Sequence, residues 1–163
     1  MSGISIYDIT VGTYISGFKV LLHILKKAAA QPDAETLPSA SLIDDMRPLS
    51  FQVQTASNIV SASLTRLLET NIQSWDDNET TMEQLIERAE NTLALLQNMD
   101  PKTLDGAEKK TFDTAGQALT GRQLVLGFTL PNFFFHVQTA YSILRMKGVP
   151  LGKDDYMGPW NRA

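Results

Sequence analysis

Few side chains in this protein can do chemistry near neutral pH. It has two histidines, His23 and His136, and no cysteine, which removes thiolate nucleophiles, disulfides and thiolate zinc sites together. His136 lies in the densest aromatic stretch, Leu130 to Gly148, reading LPNFFFHVQTAYSILRMKG. There Phe133, Val137, Ala140, Tyr141 and Leu144 recur at three- and four-residue steps and share one helical face. The imidazole stands at the margin of that face. Asn132 belongs to the same segment, while Gln52, Tyr7 and Tyr14 are polar groups on or beside apolar stripes elsewhere. Such a set can bind a small polar molecule or move a proton, because imidazole titrates near neutral pH and a phenol can donate to a developing oxyanion. The inert alternative is a core in which His136 and Gln52 bond to each other or to backbone. A residual metal site joining His136 to a carboxylate from elsewhere is the third.

In the first of these readings His136 is the acid or base, Tyr141 a donor, and Gln52, Asn132, Tyr7 and Tyr14 contact a small-molecule ligand. No cofactor is expected, and a metal-free isomerase, cyclase or lyase suits the roles. In the second the chain is a structural or interaction protein, dimeric through a helical face. His23 falls at helical steps from Lys19, Lys26 and Lys27, which predicts a solvated side chain. The acidic run Asp76, Asp77, Glu79 reads as a solvated loop favouring the helix that follows, and Arg145 as a cation offsetting a helix C-terminus. There is no P-loop, GxGxxG, HExxH or GxSxG.

These groups need helices to position them. Tyr7, Val11, Tyr14, Phe18, Leu21, Leu22 and Leu25 predict a helix from Tyr7 to about Ala30, with Asp8 or Thr10 near its cap. Leu49, Val53, Ala56, Val60, Leu64 and Leu67 predict a second, from Pro48 to about Thr70. Met82, Leu85, Ile86, Ala89, Leu93 and Leu96 predict a third, opened by a capping box at Thr80-Thr81-Met82-Glu83 and ended by Asp100-Pro101. The fourth runs from Pro131, as a first-turn proline, to Gly148. Residues 101–129 break the rhythm, and a short β-hairpin around Ala115-Gly116 is expected. Residues 149–163 form a tail packing through Tyr156 and Trp160. Phe133, Phe134 and Phe135 cannot share one face, so at least one ring should meet residues 101–129 or a partner surface. Four amphipathic helices make an all-α four-helix bundle the natural way to bury four stripes.

At 163 residues, the chain suits a single domain over 1–163, burying roughly two-thirds of its unfolded surface. A net charge of −4 with dispersed basic residues weighs against nucleic acid as a partner. No apolar run approaches a bilayer span, and MSGISIYD lacks a signal-peptide pattern, so no membrane partner and a cytoplasmic location are expected.

Several separated motifs carry a family resemblance: SIYDITV from Ser5, DDMRPLSFQVQTAS from Asp44, DNETT from Asp77, and LPNFFFHVQTAYSILRMKGVPLGKDDYMG from Leu130. In this order they resemble the DUF1993 family, whose members are similar to DinB/YfiT-like four-helix bundles. That resemblance implies a bundle with a pocket at its core end. The wider superfamily includes metal-dependent thiol transferases with a nickel- or zinc-type site, formed by one histidine on the second helix and an HxxxH pair on the fourth. His136 matches the first histidine of the pair, but Ala140 stands at the second position and Gln52 at the second-helix position. A carboxamide is a poor donor to such ions and a methyl group is none, so the metal activity does not transfer.

Overall fold

Apolar residues at three- and four-residue steps fold here as expected. The structure, a computed structural model, describes residues 3–114 and 116–161. Its long helices include α1 (Thr13–Ala29), α2 (Leu49–Leu68) and α3 (Met82–Gln97). A hairpin of β1 (Thr111–Thr114) and β2 (Gln117–Thr120) follows, then α4 (Gly121–Leu124), α5 (Leu130–Met146) and the short α6 (Lys153–Met157). The hairpin pairs Thr111 with Thr120 and Thr114 with Gln117. Gly116 takes the positive φ of 81° that a tight turn demands, while Ala115, the other residue of the expected turn, lies outside the described residues.

Helix α1 packs on α3 and α5, and α2 packs on α5 and α3. Going round the bundle, the order is α1, α3, α2, α5, so the consecutive helices α1 and α2 face each other across a diagonal. Both diagonal steps, α1 to α2 and α3 to α5, use the long connections, whereas residues 69–81 join neighbours. The stripes meet in one core in which Val11, Tyr14, Phe18, Leu21, Leu49, Val53, Val60, Leu64, Leu85, Phe133, Val137 and Leu144 are completely buried. Among the described residues no helix is long and apolar enough to cross a membrane.

Three helix starts differ from expectation. At the first, Ser5 and Asp8 exchange hydrogen bonds, Ser5 N to Asp8 Oδ2 and Asp8 N to Ser5 Oγ, both 3.0 Å, so Ser5 is the cap and Asp8 its partner. The bond from Ser5 Oγ holds the Asp8 carboxyl below its ordinary range. At α3 the capping box sits one residue later than Thr80 and Glu83: Thr81 Oγ1 accepts from Gln84 N at 3.3 Å, and Gln84 Oε1 accepts from Thr81 N at 3.1 Å. Glutamine serves as well as glutamate because only an acceptor oxygen is required.

The largest difference is at Pro131, which falls in the first turn of α5 as expected but does not begin the helical path. The chain is helical from Gly121, capped by Thr120, and passes through a π-helical segment, Val125–Thr129, into α5. A proline inside an α-helix removes one N–H and clashes with the carbonyl four residues back. The wider turn just before it accommodates this, with Leu130 N–H and Thr129 Oγ1 both donating to the Val125 carbonyl. At the other end Gly148 does take a left-handed φ of 87°.

Two further clamps join distant segments. The acidic run is not merely solvated: Arg88 on α3, only 2% exposed, donates to Glu79 Oε1 at 2.8 Å and Asn58 Oδ1 at 2.8 Å, and pairs with Asp77 at 2.9 Å. His23 is exposed, as expected, yet its Nε2 donates to Asp155 Oδ1 at 2.7 Å beside Lys27 Nζ at 2.9 Å. The hydrogen bonds from His23 and Lys27 hold the Asp155 carboxyl well below its usual range and tie α6 to α1. The tail packs through Tyr156 on Tyr141 and Trp160 on Phe134.

Gly17 lies so close to Phe133 that a Cβ there would stand 2.3 Å from the ring. Gly17→Ala is therefore expected to cost about 1–3 kcal/mol by overpacking, read from urea unfolding midpoints. Combining it with Phe133→Leu should cost less than the two changes summed, and strict additivity would show that the ring is not the obstacle.

Candidate functional site

The phenyl triplet sets the orientation of the histidine. Phe133 is fully buried, 5.0 Å from Tyr14 and 5.7 Å from Phe18 between ring centroids. Phe134 leans on Trp160 rather than on residues 101–129. Phe135 points outward and is 55% exposed. With Phe133 anchored on α1, the next helical position one turn on, His136, turns toward α2 and meets Gln52.

The contact is well defined. Gln52 is 2% and His136 8% exposed, and His136 Nδ1 lies 2.8 Å from Gln52 Oε1. Gln52 Nε2 donates to the Arg47 carbonyl at 2.8 Å, so the amide oxygen must be the atom facing the ring. Nδ1 therefore carries the hydrogen and donates. Burial pushes the His136 pKa below its ordinary value, so the ring is neutral near pH 7 and its Nε2 holds a lone pair. That nitrogen has no hydrogen-bond partner among the described residues, nor is it sealed from solvent. Phe51 and Phe135 meet the imidazole in edge-type contacts, with ring centroids 6.1 and 5.3 Å from it. The Arg47 guanidinium covers Phe51 at 4.7 Å.

The other expected site residues are placed apart from this pair. Tyr14 is fully buried and donates to Ser63 Oγ at 3.0 Å. Ser63 is about 16 Å along α2 from Gln52 at 1.5 Å per residue. Burial raises the Tyr14 phenol pKa, keeping it a neutral donor. Tyr141 lies five residues past His136, on a different side of α5, and packs against Tyr156 at 5.8 Å. Tyr7 is half-buried without a hydrogen bond among the described residues. Asn132, one turn before His136, is half-buried on the same side of the helix. Arg145 donates to the Val149 carbonyl at 3.5 Å, near the end of α5. Five clefts of the described residues, about 180 to 560 Å³ in volume, are lined by neither His136 nor Gln52.

The three-imidazole metal set does not fit these residues. Both ends of the Gln52 amide are already hydrogen-bonded, and Ala140 is a buried methyl. Among the described residues no three of His, Asp or Glu gather as a metal-binding group. The sequence reading overlooked Arg88 and Arg47. Arg88 sits one residue before Ala89 on the α3 stripe, and the acidic run upstream was the available sign that a buried cation needs partners. For Arg47 there was only the adjacent Phe51.

Gln52→Leu should cost about 1–3 kcal/mol by leaving the buried Nδ1–H unpaired, whereas Gln52→Leu with His136→Phe should recover part of the loss. The depressed His136 pKa also has a sign. The unfolded chain takes up the proton first, so this contribution is complete above the ordinary value of 6.5 and is lost as pH falls toward the lower folded value. Unfolding midpoints measured from pH 7.5 to 5 should fall less in the double variant than in the native chain; parallel curves would rule out His136 as the source.

The architecture has a close counterpart among crystal structures. A DinB family member protein from Shewanella denitrificans superposes with a TM-score of 0.86 and 32% identity, over 93% of this chain and 91% of that one. No curated protein matches the chain. The family defined as a domain of unknown function, DUF1993, matches residues 6–157, and the chain belongs to it, with a DinB-like helical fold.

Proposed function

We propose that this protein is a metal-free small-molecule-binding bundle whose ligand meets the outward Nε2 of His136. The observation that carries the reading is the chain of bonds from the Arg47 carbonyl through the Gln52 amide to His136 Nδ1. It fixes one tautomer of a neutral imidazole and leaves Nε2 as an oriented acceptor. A hydroxyl, acid or protonated amine of a ligand can donate to that atom, and in a catalytic cycle the same atom is the base. Phe51 and Phe135 offer apolar surface beside the imidazole, and Asn132 is an amide one turn before it on α5. The metal chemistry of the wider superfamily is not part of this reading, because the donor set required for it is replaced.

A second reading has its own support. His136 and Gln52 are buried, satisfy one another and line none of the clefts, which suits a scaffold or interaction protein in which the pair is only a brace between α2 and α5. A thermal-shift screen of small acids, alcohols and amines separates the two. Binding is expected to raise the melting temperature of the native chain, since a ligand of the folded state adds stability. The shift should vanish in His136→Phe, a variant that keeps the ring and removes the acceptor. Equal shifts in both proteins would leave only the brace. Zinc and nickel titrations of the native chain should show no stoichiometric site.

A further inference from the structure

Away from His136, the surface around α4 and the π-helical segment carries two clefts of about 560 and 550 Å³. They meet at Arg122 and Leu126, which line both. The second is an open trough bordered by Gln117 and Leu119 of β2, Arg122 and Gln123 of α4, and Leu126 to Phe128 of the π-helical segment. Its volume is that of an ordinary small-molecule site. Leu126 and Phe128 are 46% and 48% exposed, a high exposure for side chains of this size.

The charge pattern of this cleft is simple. Arg122 is its only charged lining residue, and its guanidinium pairs with no carboxylate among the described residues. Asp105 and Glu108 line the neighbouring cleft on the other side of Arg122 and are not within ion-pairing distance of it. Gln123 Oε1 is committed to the Thr120 cap at 2.9 Å, which leaves its Nε2 free to donate. One unpaired guanidinium and a free amide N–H at the edge of an aliphatic and aromatic trough match a molecule with one anionic group and an apolar body.

We propose that this cleft binds a medium-chain fatty carboxylate, with the carboxylate on Arg122 and Gln123 Nε2 and the alkyl chain along Leu119, Leu126 and Phe128. Arginine presents a planar pair of donors that a carboxylate meets with two parallel hydrogen bonds. Leaving the apolar wall in water is unfavourable in proportion to its area, and an alkyl chain laid on it removes that cost.

Octanoate, below its micellar concentration, is the probe, with octanol as its uncharged counterpart. Amide resonances of residues 117–128 should shift saturably with octanoate in the native chain, and octanol should bind about tenfold more weakly. Arg122→Gln should weaken octanoate about tenfold and leave octanol unchanged. Leu126→Ser should weaken both. Arg122 is exposed and unpaired, so the melting temperature of Arg122→Gln should match that of the native chain, which keeps its result readable. Absence of saturable binding, equal octanoate affinity in Arg122→Gln, or shifts centred on another part of the bundle would overturn the proposal. So would light scattering showing that a second copy of the chain covers the cleft and excludes octanoate.

Discussion

The seating of Phe133 against Gly17 is the constraint on which the rest of the bundle depends. A side chain at position 17 would collide with the ring, so the bare glycine backbone lets α5 approach α1 closely and fixes the rotation of α5 about its axis. Once that rotation is set, the positions one turn away have little freedom. His136 faces α2, Phe134 faces the tail, and Phe135 faces outward. Tight packing of this kind transmits position because a dense interior has few alternative arrangements. The hydrogen bond to Gln52 follows from the anchoring of Phe133.

Gln52 and Ala140 stand where the sequence resemblance would place two further imidazoles, and on the proposed reading His136 acts without a metal. A metal-ligating imidazole usually donates its other N–H to an acceptor that fixes the ring. Here His136 keeps such an acceptor in Gln52, while its co-ligand positions hold that same amide and Ala140. The hydrogen bond to Gln52 orients the ring, which on the proposed reading serves as a neutral acceptor with a depressed pKa. Depression weakens it as a base but keeps Nε2 unprotonated across the neutral range, which favours acceptance of a hydrogen bond over retention of a proton.

Much of this was legible in the sequence because it is periodic. The four stripes from Tyr7, Leu49, Met82 and Phe133, the hairpin near Gly116, the contact of Trp160 and Tyr156 with the bundle, and the closing Gly148 all follow from local spacing and backbone chemistry. What escaped was non-local or aperiodic. His23 and Asp155 are 132 residues apart, and no helical step connects them. Arg88 looked like any charged residue beside a stripe until the loop carrying Asp77 and Glu79 folded over it. The tyrosines share with His136 only that they are polar residues near apolar stripes. Polarity does not say which end of a bundle a residue occupies, and Tyr14 lies turns away along the axis.

Pro131 lies in the first turn of α5 yet continues a helix already running, and this bears on the exposed cleft. Seven residues make almost two full turns of an α-helix, so an uninterrupted helix would place Leu126 on the same face as Phe133, inside the core. The π-helical turn adds a residue before the proline and shifts the face by one position. Val125, eight residues before Phe133, is fully buried, and Leu126 is turned out to solvent. The widening that makes room for a proline therefore also creates the apolar wall beside Arg122. An apolar surface produced by a local change of helical pitch, next to a cation that pairs with no carboxylate among the described residues, is the combination from which a binding cleft can be selected without disturbing the core behind it.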